Sequence, residues 1–171
     1  MSHSTKKLGM MFTAAGWILG FLLLALIFSK ILDHSNNPNQ SVATLQTGQF
    51  QEIVLQRSRN GHYLFDGEIN RQKVTFLVDT GATMTAIPAQ LQQPLGLQAG
   101  PATSVSTANG VTTAYLTRLE QMALGDIELF DVRASIIAGM DVDEVLLGMN
   151  VLKHFELVQR DNQLIIRLYR Q

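Results

Sequence analysis

Val74-Thr75-Phe76-Leu77-Val78-Asp79-Thr80-Gly81-Ala82-Thr83 is a run of strand-forming residues that ends abruptly in an acid, a hydroxyl and a glycine. Val74, Phe76 and Val78 fall on one face at period two and Leu77 adds apolar surface to the other, the pattern of a buried strand. A carboxylate at the end of such a strand is costly to desolvate unless something uses it. Thr80 can hydrogen-bond locally, and Gly81 permits a turn or a close approach that a side chain would block. Asp79, Thr80 and Gly81 are therefore the candidate chemical residues. The plain alternative is a strand ending in a turn, since Asp, Thr and Gly are common loop formers, so the surrounding chain has to decide.

Toward the N-terminus, residues 8–28 carry no charge, and these 21 residues are long enough as a helix to cross a bilayer core of about 30 Å. A cleaved signal peptide would have a shorter apolar region followed by a small-x-small site, and Ile27-Phe28-Ser29-Lys30-Ile31-Leu32 offers none. The expectation is an uncleaved signal anchor over 8–32 after a short cytoplasmic 1–7. Lys6 and Lys7 before the span outweigh Lys30 after it, which puts the N-terminus inside and the bulk of the chain outside the cytoplasm. Gly16 and Gly20, four residues apart, would let two such helices approach closely; ordinary glycine usage in membrane helices explains them equally well. Residues 33–50, rich in Asn, Gln, Ser and Thr, read as a polar, flexible linker.

From residue 51 to 171 the chain changes to short apolar strands separated by turn signals, the pattern of an all-β barrel or sandwich. Asn60-Gly61 and Asn109-Gly110 are hairpin signals. The second is flanked by small, β-branched, mostly polar residues with little to bury, so that hairpin is expected to project and to be able to cover a cleft. Strands are expected over 116–124, 127–132 and 134–138, and Val145-Leu146-Leu147-Gly148 reads as a buried strand running into a glycine. The last strand, 163–169, carries apolar weight on both faces, which predicts a covering surface supplied by a second chain.

Several classes of function are poorly supported. Residues 51–171 contain 10 basic against 13 acidic side chains and no basic block, so nucleic acid is not an expected partner. With no cysteine there is no disulfide, thiolate metal site or cysteine nucleophile. The four histidines form no HxxxH or HExxH spacing, and no Ser/His/Asp set with a nucleophile elbow is present. Asp141, Asp143 and Glu144 match no calcium loop and read as a solvated turn. No metal or other cofactor is expected.

Three segments in this order resemble the retropepsin-type aspartic proteases, the single-domain relatives of pepsin. Phe76-Leu77-Val78-Asp79-Thr80-Gly81-Ala82 resembles the catalytic loop, Thr107-Ala108-Asn109-Gly110 sits where the family has its flap, and Leu146-Leu147-Gly148 with Asn150 resembles the strand that passes beside the catalytic loop. With the N-terminal anchor the layout is most similar to a bacterial membrane-bound branch. The resemblance implies a retropepsin-like closed β-barrel behind one transmembrane helix, held in a bacterial inner membrane with the protease domain on the periplasmic side. It makes Asp79, Thr80 and Gly81 catalytic. Ala82, Thr107, Ala108, Asn109 and Gly110 become substrate-binding residues, and Leu147, Gly148 and Asn150 supports beside the site. The substrate would be a protein or peptide.

The chemistry that the resemblance implies needs two carboxylates sharing a proton, one acting as base on a bound water and the other as acid toward the substrate carbonyl. This chain has one such triplet, so two copies must meet as a homodimer with Asp79 near its mate at a twofold axis, the terminal strands pairing in the interface. One departure stands out: the acid after the loop alanine and the arginine after the later glycine, paired in viral members, are here Thr83 and Met149. The competing expectations are a non-catalytic extracytoplasmic binding domain with the same fold and a protease limited to processing its own linker.

Overall fold

In the computed structural model, which describes residues 3–107 and 110–169, the chain forms two units, Met1–Ser35 and Asn36–Gln171. The first is a single helix, α1 (His3–Asn36), whose segment Ala15–Asn36 is long and apolar enough to cross a membrane, with a mean hydropathy of 2.2. Trp17, Phe21 and Leu24 are exposed on it.

The second unit is mostly β-sheet. A four-stranded antiparallel sheet has the order β1 (Thr44–Gln46), β2 (Phe50–Gln56), β11 (Gln163–Tyr169), β10 (Glu156–Arg160). A seven-stranded sheet has the order β3 (Leu64–Ile69), β4 (Gln72–Val78), β9 (Val145–Leu147), β5 (Thr85–Pro88), β8 (Ile127–Ile137), β7 (Gly110–Leu124), β6 (Ala102–Thr107). The sheet is linked back on itself, because its first strand, β3, also pairs with β7, next to its last, through Glu68 with Ala123 and Ile69 with Met122. One core runs between the sheets. The alternation read from sequence puts Ile53 and Leu55 of β2, Phe65 and Ile69 of β3, and Val74 and Phe76 of β4 into it, with the rings of Phe65 and Phe76 5.4 Å apart.

Four expectations change. Residues 110–124 and 127–137 are two long strands rather than four short ones, since one ladder runs from Ala114 opposite Ile137 to Leu124 opposite Ile127. Asn60-Gly61 does not join paired strands: β2 and β3 lie in different sheets, and the turn, with Gly61 at φ +85°, carries the chain between them. The hairpin between β3 and β4 instead turns on Asn70 and Arg71, both in the left-handed region at φ +51° and +64°. The last strand is not short of partners, because β2 and β10 of the same chain occupy both its edges. Leu164 and Ile166 face the core, and Arg167 on the other face binds Glu52 and Glu156 at 2.8 and 2.9 Å. Pairing of that strand with a second chain is therefore blocked.

The fourth change concerns the linker. Residues 33–36 belong to α1, and from Asn37 onward the segment is bound into the domain rather than flexible. Asn39 is buried, and its side-chain amide donates to Gln56 O and Leu64 O while its Oδ1 accepts from Gln56 N, at 2.6–2.9 Å. One side chain thus does the work of a strand between two strand ends that do not meet. Asn37 donates to Asp66 Oδ1, which also accepts from Thr75 of β4. Replacing Asn39 with Ala should cost about 1–3 kcal/mol, because it leaves a backbone donor and two carbonyls without that part-buried partner. Urea unfolding followed by circular dichroism reads this as a lower midpoint at unchanged slope; an unchanged midpoint would mean that the segment is not held.

Candidate active site

Asp79 follows the last residue of β4, in a turn held from behind by β9. Phe76, Leu77 and Val78 pair in parallel with Val145, Leu146 and Leu147, and Ala86 of β5 pairs with Leu146 on the other side of β9. The buried strand 145–147 is therefore wedged between the strand that enters the Asp79 turn and the strand that leaves it. Backbone bonds continue the pattern through the turn: Asp79 N donates to Leu147 O, Met149 N to Ala82 O and Asn150 N to Thr83 O, at 2.7–3.2 Å.

Gly148 allows this approach. A Cβ built on it would lie 2.5 Å from Met84 C and 2.7 Å from Met84 O, both backbone atoms of the loop. Asn150, in the short helix α2 (Met149–Leu152), adds a side-chain brace. Its Oδ1 accepts from Thr85 N and Thr85 Oγ1 at 2.8 and 3.1 Å, and its Nδ2 donates to Arg133 O at 2.7 Å. One amide therefore ties the end of the loop to both β5 and β8.

Asp79 is half-buried, and its Oδ1 accepts from Gly81 N at 2.8 Å, while Ala82 N donates to Asp79 O at 3.3 Å. No ion pair involves Asp79 among the described residues. Gly81 serves proximity rather than left-handed backbone: a Cβ there would crowd Asp79 Oδ1 at 3.2 Å. Thr80 and Gly81 are exposed and Ala82 is half-buried. The chain thus presents one carboxylate, oriented by an adjacent N–H, on a surface whose neighbours are small.

The hairpin of β6 and β7 keeps its register out to Thr107 opposite Gly110, with Gly110 at φ +113° and Thr107 Oγ1 donating to Gly110 O at 2.8 Å. Ala108 and Asn109 lie outside the described residues. The base of this hairpin carries a second, smaller apolar cluster that was not singled out in the sequence. Ala86, Ala114 and Ile137 are buried there, with Val105, Met140 and Leu146 packed against them. It joins the hairpin to β5, the strand that leaves the Asp79 turn, and to β9, the strand that backs it. Two alanines in strands that otherwise carry large residues were the available signal.

A cavity of about 910 Å³ opens elsewhere, on the face of β7 and β8, and Asp79 is not part of its lining. Met84 lines it. Asn70 stands at another part of the wall, donating to Leu95 O and accepting from the backbone N–H groups of Glu120 and Gln121. Arg118 hydrogen-bonds and ion-pairs with Asp131 across the strands, which holds its guanidinium above its ordinary pKa. Asp141, Asp143 and Glu144 lie in a loop, and no cluster of three metal-ligating side chains exists among the described residues.

The family model described as "gag-polyprotein putative aspartyl protease" matches residues 65–154, which span the Asp79 turn, the hairpin and Gly148. An uncharacterized protein encoded in the cobV 5′ region of Sinorhizobium sp. is 33% identical over 133 residues, covering 74% of this chain and 56% of the relative. An uncharacterized protein of Rickettsia prowazekii (strain Madrid E) is 31% identical over 121 residues, covering 69% of this chain and 52% of the relative. The chain thus spans just over half the length of each. Among solved structures, a retropepsin-like aspartic protease from Rickettsia conorii superimposes with a TM-score of 0.60 at 26% identity, over 74% of this chain and 99% of that one.

Gly148→Ala should destabilise the domain by about 1–3 kcal/mol or more, because the added methyl meets backbone that cannot step aside. Thermal unfolding reads the loss directly. A wild-type midpoint would mean that the Asp79 turn and residue 148 are not in contact.

Proposed function

The chain belongs to the retropepsin-like aspartic protease family, and from that membership we propose that it is a membrane-anchored, homodimeric endopeptidase using water held between two symmetry-related Asp79 carboxylates. The observation that carries the proposal is the Asp79 turn itself. Its carboxylate is oriented by the Gly81 N–H and framed by β9, and the chain supplies no second Asp-Thr-Gly. In this proposal the linked seven-stranded sheet is the closed β-barrel of a single-lobe acid protease.

Two carboxylates brought together repel, so one holds a proton that the other lacks. The ionised one takes a proton from the water as its oxygen attacks the peptide carbonyl carbon, and the protonated one gives its proton to the carbonyl oxygen. Collapse of the tetrahedral diol expels the amine: its nitrogen takes up the proton gained from water, and one diol hydroxyl returns its proton to the other carboxylate, which restores the pair. Asp79 is the catalytic residue. Thr80 braces the loop toward its mate, and Gly81 lets the substrate backbone approach. Ala82 and the 107–110 hairpin, including Ala108 and Asn109, close over an extended peptide, while Leu147, Gly148 and Asn150 support the loop from behind. The apolar stretch of α1 holds the enzyme in a bacterial inner membrane with the domain on the periplasmic side, by the lysine asymmetry around the span.

Asp79→Asn should abolish cleavage of an unstructured protein while leaving the circular dichroism and melting curve in place. Wild-type rate should rise more steeply than linearly with enzyme concentration until dimers saturate. Retained cleavage in Asp79→Asn would overturn the assignment; a strictly linear rate at all concentrations would overturn the dimer.

A further inference from the structure

We propose that the cavity on the β7–β8 face is an extended substrate subsite that takes an acidic side chain of the peptide, beyond the residues flanking the scissile bond. This rests on the protease reading and adds a specificity element to it. The cavity shares a wall with the catalytic loop: Met84 lines it, and the next residue, Thr85, pairs with Ala134, which also lines it. A peptide leaving the cleft past Met84 therefore meets this cavity.

The site is preformed. Its outer wall, the segment before β6, is tied to β7 by Thr117 Oγ1 donating to Gln98 O, Gly100 N to Leu116 O and Leu116 N to Pro101 O, at 2.8–3.1 Å. A Cβ on Gly100 would lie 2.7 Å from Leu116 O, so that wall has been brought as close as backbone allows. Opposite it the strand is strained. Asp131 sits at φ +54° in the middle of β8, and the ladder between β7 and β8 skips the Glu120–Asp131 step. Left-handed backbone at a residue other than glycine persists where the surroundings hold it, and such residues gather at binding sites. Next to the kink, Phe130 is 65% exposed, an aromatic ring at a cavity mouth with no protein cover.

Charge selects the ligand. Arg118 and Arg133 stand directly opposite each other across the strands. Asp131 neutralises Arg118, whereas Arg133 forms no ion pair among the described residues. Arg133 precedes Ala134, the partner of Thr85, and its carbonyl accepts from Asn150, so this unneutralised residue sits on the strand beside the catalytic loop. Glu120 lies toward the Asn70 end, where Asn70 accepts from its backbone N–H. An extended peptide entering from the cleft thus meets a cation first, and a carboxylate on Arg133 gives a charge-assisted, two-pronged contact. In a twofold dimer each arm of the substrate would find one such site.

The test is cleavage of a mixed peptide library by the full chain in detergent, followed by sequencing of the products. Wild type should enrich Asp and Glu at a fixed offset from the cut. Arg133→Gln should lose that enrichment, and Arg133→Lys should keep part of it. On one acid-bearing peptide Arg133→Gln should raise KM about tenfold with kcat unchanged, and leave its neutral analogue within about twofold. Phe130→Ser should weaken the same peptides. Identical product profiles for wild type and Arg133→Gln would overturn the proposal. If wild type cleaves nothing, the protease reading fails, and the cavity is then judged by fluorescence anisotropy with an acidic and a neutral labelled dodecapeptide. Tighter binding of the acidic one that Arg133→Gln removes supports the subsite; equal or absent binding overturns it.

Discussion

The structure depends on the passage of one short strand, β9, between β4 and β5. That passage is possible because Gly148 has no side chain, so its backbone can lie against Met84 and Thr85. From this contact follow the backbone bonds that fix the Asp79 turn and the Asn150 brace that reaches β8. A carboxylate that must meet another with sub-ångström tolerance cannot sit on a loose loop. Here the loop is held by residues about 65 positions distant in sequence, so the site exists only in the folded domain.

The single triplet turns a fold into an assembly problem. A half-site with one acid has no means of holding a proton next to an ionised partner, and in the proposed enzyme symmetry supplies the second group. The chain lacks the charged pair that would sit at Thr83 and Met149, and its terminal strand is already paired on both edges by β2 and β10. In the proposed dimer, contacts would therefore come from the loops around Asp79 and the outer surfaces, and a shared membrane plane would raise the local concentration of copies.

Much of this was legible in the sequence, for physical reasons. Period-two alternation in 74–78 and the unbroken apolar run 145–147 report burial, and Asp-Thr-Gly marks an abrupt strand end. What escaped was carried by single polar side chains. Asn39 lies in a stretch whose composition spells linker, yet its amide satisfies three backbone groups at once. Asn70 forms a hairpin turn without a following glycine and then braces β7, which no turn dipeptide announces. Asn60-Gly61 misled because a left-handed turn serves a sheet-to-sheet crossing as well as a hairpin. The apolar weight of 163–169 pointed to a partner surface, but the strands that cover its edges are 50–56, remote in sequence, and 156–160, joined to it by a turn.

The proposed chemistry rests on two Asp79 carboxylates acting as one unit, and subunit mixing addresses that most directly. Wild type and Asp79→Asn, distinguishably tagged and co-expressed in equal amounts, pair at random, so that about one quarter of dimers retain two aspartates. A shared-proton pair predicts activity near one quarter of that of the same total amount of wild type. Activity near one half would mean that each Asp79 works alone, and would contradict the symmetric site.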